Sequence, residues 1–228
     1  MTVQLYDLAL ADSDVRLSPY CWIVKFALLH KGVDFETIPL RFTEKHNYPG
    51  EDLKTLPILT DNDQTICDSV NIIAYLEKQY SGPALTNSSA ELAAVEFYKA
   101  WMDTCLFPAI GPRLFVRVHA AAHEDDKEYF RKTREKRFGK TLEEVAMSPG
   151  LNEKTEAALQ TLAAPLARYK FLGGDTPNLS DYNVFSVFMW QRVLTSETLY
   201  EMPQAVESWI ERMLDLFDGY ARGAKQGA

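Results

Sequence analysis

Ser18-Pro19-Tyr20-Cys21 has the spacing of a thiol-redox loop, with a serine where the attacking cysteine would stand. A serine there cannot form a disulfide with Cys21. Its hydroxyl can instead hydrogen-bond a sulfur anion carried by another molecule, provided the loop opens a helix beneath a sulfur-binding pocket. The same residues also read as an ordinary helix start, because serine is a favoured N-cap and proline suits the first helical position. Trp22, Ile23, Phe26, Ala27 and Leu29 recur at helical spacing and predict a helix over 19–31, with Gly32 as its stop. Cys21 would lie in the first turn, where the helix dipole lowers a thiol pKa, so thiol-disulfide chemistry through Cys21 stays open beside simple burial.

Two later segments carry related chemistry. In Leu56-Pro57-Ile58-Leu59 a proline begins a strand, and a cis bond before it would expose the backbone of Leu56 in a turn. Asp68-Ser69 opens a helix directly after a strand; both residues cap well, and an uncovered helix N-terminus also suits a carboxylate. Between them, Arg41, Lys45, His46 and Lys54 stand out in an acidic protein, although Glu44, Glu51 and Asp52 are interspersed with them.

These residues need a scaffold, and the pattern supplies one. Strand signals at 3–8, 34–40, 57–60 and 64–67 alternate with helices at 19–31 and 69–80. The first two strands, joined by a helical crossover, must run parallel, and the last two, joined by Asp61-Asn62-Asp63, antiparallel. Ser81-Gly82-Pro83 marks a boundary, giving an α/β domain over 1–81, a linker over 82–88 and an all-helical domain over 89–228. There, 90–123 reads as one long helix bent or broken by Pro108 and Pro112, followed by helices at 128–147, with Gly139 as a weak point, 153–169, 179–195 and 205–218. Asn178 and Asp181 form a variant capping box at the start of the apolar fourth segment.

Composition narrows the function. The chain has 228 residues, 46% hydrophobic and 12% aromatic, enough for a substantial core. A net charge of −8 argues against nucleic acid or an anionic membrane as the main partner. No apolar run reaches the roughly 18 residues of a membrane span, and Met1-Thr2-Val3-Gln4 runs straight into strand-like sequence, so a soluble cytoplasmic protein is expected. Cys21, Cys67 and Cys105 are too few and scattered for a disulfide framework or a zinc site, and no metal is expected.

Taken in order, these motifs resemble those of the cytosolic glutathione transferases, from about Val3 to about Gly219. The resemblance implies a thioredoxin-like domain that binds glutathione, an all-α domain that completes a site for an electrophile, and a homodimer. It implies that Ser18 hydrogen-bonds the glutathione sulfur, that Leu56 before a cis Pro57 is the backbone partner of the cysteinyl unit, and that Asp68 and Ser69 hold the γ-glutamyl end. Lys45, His46 and Lys54 fall where the family places a group for the glycine carboxylate. Gly173-Gly174-Asp175-Thr176-Pro177-Asn178-Leu179-Ser180-Asp181-Tyr182 resembles the family's buried capping segment. Ser-Pro-Tyr-Cys-Trp, with His30-Lys31-Gly32 and Phe171-Leu172-Gly173-Gly174-Asp175, is similar to a fungal and bacterial branch that includes glutathione-dependent aryl-ether-cleaving enzymes. Tyr20, Trp22, Trp101, Phe107, Arg113, Phe115, Arg117 and His119 are then the candidates for the wall facing the second substrate. Alongside this reading stand a glutathione-dependent thiol-disulfide enzyme using Cys21 and a non-catalytic ligand-binding relative.

Overall fold

The computed structural model describes residues 2–227 as a four-stranded mixed sheet with helices on it, followed by an all-helical unit. The strands are β1 (Val3–Leu8), β2 (Phe35–Leu40), β3 (Ile58–Asp61) and β4 (Gln64–Cys67), in the spatial order β2-β1-β3-β4. β1 and β2 are parallel, pairing Leu5 with Thr37, while β3 runs antiparallel to β1, pairing Leu5 with Leu59. β3 and β4 form the expected hairpin. The crossover between β1 and β2 is α1 (Pro19–His30), and α2 (Ser69–Gln79) follows β4.

α1 is buried continuously from Cys21 to Leu28, because it is packed between the sheet and a helix of the second unit. A helix apolar nearly all round is what such a position requires. Its one charged exception, Lys25, pairs with the fully buried Asp7, which also lies 3.7 Å from Arg16, and the Lys25 ammonium sits 4.2 Å from the Trp22 ring centroid. Charge buried in this way persists only when partnered.

The helical unit comprises α3 (Ser89–Trp101), α4 (Phe107–Ala121), α5 (Glu124–Phe138), α6 (Leu142–Ala146), α7 (Leu151–Leu166), α8 (Leu179–Leu194) and α9 (Gln204–Gly219). The single long helix expected over 90–123 is two helices joined by a π turn at Met102–Leu106, where the Phe107 N–H reaches back to the Met102 carbonyl. Pro108 has no N–H for the Thr104 carbonyl and would crowd it in a regular α-turn, so the chain widens just before it; Pro112 sits inside α4 without ending it. Similarly, the helix expected over 128–147 is split: Gly139, at φ 65°, ends α5 in the left-handed conformation, and Thr141 and Glu144 start α6 with a full capping box.

The two units are tied together by side chains. Phe26 of α1 stacks on Tyr182 of α8, with ring centroids 5.4 Å apart, and Thr43 donates to the buried Asp126 carboxylate through both its N–H and its hydroxyl. Among the described residues no helix is long and apolar enough to cross a membrane.

Candidate active site

Ser18 caps α1: its Oγ accepts from the Cys21 N–H at 3.4 Å, a long bond that uses one lone pair. No oxygen acceptor among the described residues takes the hydroxyl's own proton, and the side chain lines a cleft between the two units that encloses about 450 Å³. The first-turn N–H groups of α1 point the same way as its positive dipole end. Leu56, joined to Pro57 by a cis bond, lines the same cleft, and neither its N–H nor its carbonyl is taken by another backbone group among the described residues. Lys45 and Lys54 line it as well, and neither has a carboxylate partner among the described residues.

The second unit closes the cleft with Phe107 and Phe115 of α4, Trp190 of α8 and, from α5, Tyr129, Phe130, Arg134 and Arg137. Asp103, turned out by the π turn, is the one carboxylate lining it among the described residues. It accepts from the Tyr20 hydroxyl at 3.1 Å and pairs with Lys99, so it brings little free negative charge. Burial, then the Asp103 charge, pushes the Tyr20 phenol up to about 12, which keeps it protonated and donating.

Several expected residues lie elsewhere. Trp22 is a core side chain, 3% exposed, that packs on Phe26 and Tyr220 and donates its indole N–H to the Arg16 carbonyl. Trp101 packs against the core outside the cleft. Arg113 is spent inside the helical unit on Ala109 O, Thr155 and Asn152, at 2.7–2.9 Å, and Arg117 pairs with Glu197. His119 accepts from Arg131 instead of facing the cleft. His46 is exposed on a short turn at Lys45–Asn47. In all four polar cases α4 or the turn presents the side chain to a nearer partner or to solvent.

Asp68 and Ser69 open α2 beside the cleft, linked to it by the Asp68 N–H donating to the Pro57 carbonyl at 3.2 Å. Asp68 holds φ 79°, unusual for a residue with a Cβ, and its carboxylate caps Val70 at 2.9 Å. Ser69 faces the other way, into a crevice between α2 and α3.

Cys21 is 0% exposed, and burial together with the Asp7 charge pushes its thiol well above the usual range, outweighing Ser18 and Lys25. A sealed, protonated thiol is a poor nucleophile. Sequence reasoning missed the contribution of α5, where Phe130, Arg134 and Arg137 recur at i, i+4 and i+7 within a highly charged helix. That spacing was the available signal; it is masked by the surrounding solvated charges.

Comparison with known proteins adds a family. A model described as "Glutathione S-transferase, N-terminal domain" matches residues 13–84, and one described as "Glutathione S-transferase, C-terminal domain" matches 93–220. The chain is 26% identical over 197 residues to a Glycine max protein named probable glutathione S-transferase, covering 80% of this chain and 74% of that one. It is similar in structure to glutathione transferase GSTFuA3 from Phanerochaete chrysosporium, with a TM-score of 0.73 and 26% identity, covering 96% of this chain and 92% of that one. The glutathione S-transferase CsGST83044 of Ceriporiopsis subvermispora, solved in complex with glutathione, has the same fold, with a TM-score of 0.77 at 20% identity, covering 96% of this chain and 99% of that one.

Proposed function

The chain belongs to the glutathione S-transferase family, and from that premise we propose that Ser18 holds the sulfur of the co-substrate glutathione as a thiolate for attack on an aromatic electrophile. The observation that carries this reading is the Ser18 side chain, which lines the cleft at the start of α1 and gives its proton to no oxygen acceptor among the described residues. A cysteinyl thiol has a pKa of about 8.5, and lowering it by two units needs about 2.7 kcal/mol of preferential stabilisation of the anion. A hydrogen bond to a charged group contributes about 1.5–3 kcal/mol, and the helix end about 0.3–1 kcal/mol. Those magnitudes suffice without a general base, which Ser18 lacks, so the serine steadies the nucleophile and is not itself one.

The remaining roles follow from position. Leu56 offers free backbone groups to the cysteinyl unit, Lys45 and Lys54 are the cations for the glycine carboxylate, and Asp68 with the α2 N-terminus adjoins the γ-glutamyl end. The thiol proton leaves to solvent. Sulfur then forms a bond to carbon while halide or aryloxide departs with the electron pair, so aryl-ether cleavage is the same step with a phenolic leaving group. The burial of Cys21 weighs against thiol-disulfide exchange as a second reading.

Val70 and Leu92 stay 59% and 50% exposed along the crevice between α2 and α3, an apolar face that supports a homodimer. The unpaired state of Cys21, Cys67 and Cys105 fits a cytoplasmic location.

The test is Ser18→Ala assayed with glutathione and a halonitroarene across pH. Turnover should fall at least tenfold at pH 7, the rate profile should move to higher pH, and the deficit should shrink once glutathione ionises unaided. An unmoved profile would sink the proposal. Binding of aromatic ligands without turnover of any electrophile would favour a non-catalytic relative.

A further inference from the structure

The cleft does not end at Phe115. A second groove of about 290 Å³ shares Asp103, Phe107, Phe115 and Arg137 with it and continues between α4 and the segment that carries α6. Its floor is apolar because Pro108, Pro112 and Phe115 lie at i, i+4 and i+7 on one face of α4. Its rim is cationic: Arg137, Lys140 and Lys154 line it, and Asp103, already engaged by Tyr20 and Lys99, is the one carboxylate.

The arginines on this side share with Arg113, Arg168, Arg192 and Arg212 the lack of a carboxylate partner among the described residues, and differ from the other five. Arg16, Arg41, Arg117, Arg131 and Arg222 each meet a carboxylate within 4.0 Å. Arg134 and Arg137 meet none among the described residues. Arg134 lies 4.4 Å from the Phe130 ring centroid and 5.4 Å from that of Phe42, donating to its neighbour Thr133, and burial lowers its pKa because no anion compensates it. Arg137 stands exposed at the junction of the two compartments, over the Phe138 ring at 5.6 Å. In a chain with net charge −8, a cation-lined cleft with apolar walls focuses the field on anions. In the glutathione pose proposed above, with Lys45 and Lys54 at the glycine end and α2 at the γ-glutamyl end, these charges stay free.

Resting on the reading of the cleft as a glutathione site, we infer that the second substrate is an elongated aromatic acid. Its reacting carbon lies toward Ser18, its body runs along Phe107 and Phe115, and its anionic group is received at Arg137, with Lys140 and Lys154 beyond. Arg137 is thus a specificity-determining residue. It selects a charged acceptor where apolar walls alone would select only size.

Calorimetry on the whole protein tests this with biphenyl-4-carboxylate, its neutral amide and benzoate, each titrated with and without saturating S-methylglutathione. The long acid should bind about tenfold more tightly than its amide and more tightly still than benzoate, and the acid-amide gap should narrow with added salt. Arg137→Gln should remove most of that gap and Arg137→Lys keep part of it, whereas Lys132→Gln on the exposed side of α5 should leave it as in the parent. Equal binding of acid and amide in the parent, or a gap that survives Arg137→Gln, overturns the charge selection; equal binding of biphenyl-4-carboxylate and benzoate overturns the length selection. A protein that fails to bind S-methylglutathione defeats the reading of the glutathione site, while the acid-amide gap alone judges this inference.

Discussion

Two helix starts in this molecule use nearly the same sequence grammar and do opposite things with it. At α8, the Asn178 carboxamide accepts from Ser180 at 2.9 Å, and the buried Asp181 accepts from Leu172, Gly173, Asn178 and the Trp209 indole at 2.8–3.1 Å. Both oxygens of Asp181 are engaged there, although the buried Ser180 hydroxyl has no partner among the described residues. The loop is closed so tightly that a Cβ on Gly173 would sit 2.6 Å from the Thr176 carbonyl. At α1, Ser18 makes a single 3.4 Å cap bond, and its side chain lines the cleft. A cap whose carboxylate is fully engaged inside the protein serves the fold, and a lightly bonded one at a cavity wall has capacity left for a ligand.

The widest gap between the two should appear in stability. Asp181→Ala strands several buried donors at once and should cost about 3–4 kcal/mol in urea denaturation. Ser18→Ala removes a weak cap and should cost about 1 kcal/mol or less, while losing at least tenfold in turnover. If Ser18→Ala proved the more destabilising of the two, the comparison would break.

That contrast also explains what was legible in the chain. The strands, the crossover helix and both caps were readable because local signals at Ser18-Pro19, Asp61-Asn62-Asp63, Asp68-Ser69 and Asn178 to Asp181 agree with the tertiary structure. The π turn was not, because Pro108 forbids a regular turn without saying how far upstream the chain widens. The wall of the cleft was read poorly for a related reason. Which way Trp22, Arg113 or Arg117 points depends on partners such as Tyr220, Asn152 and Glu197, remote in sequence, whereas Ser18 and Leu56 are placed by their own turns.

A smaller effect sharpens the comparison within one helical turn. Cys21 follows Ser18 by three residues but faces the core beside Asp7 and Lys25. Cys21→Ser should therefore cost about 1–2 kcal/mol, as a hydroxyl replaces a small apolar group, and leave halonitroarene turnover within about twofold. Loss of turnover comparable to that of Ser18→Ala would give Cys21 a share of the chemistry and erase the distinction.

The smallest effect concerns how α1 and α8 are held together. His30, at the end of α1, lies 3.1 Å through Nε2 from the Ala84 carbonyl and 2.6 Å through Nδ1 from the Tyr182 hydroxyl. A carbonyl can only accept, so Nε2 carries the proton and Nδ1 accepts from Tyr182 in the neutral ring. Burial lowers the His30 pKa from its usual 6.5, outweighing the Ala84 carbonyl and the Glu77 charge that favour the imidazolium. The unfolded chain therefore binds the proton first as pH falls. The contribution of the neutral ring is complete above about 6.5 and is lost as pH drops through the lowered folded value. Urea midpoints at pH 7.5 and 5.5 should fall further in the parent than in His30→Gln, which keeps an amide donor and acceptor but has nothing to titrate. Equal falls would mean that the junction of α1 and α8 is indifferent to protonation and that His30 is only a spacer between them.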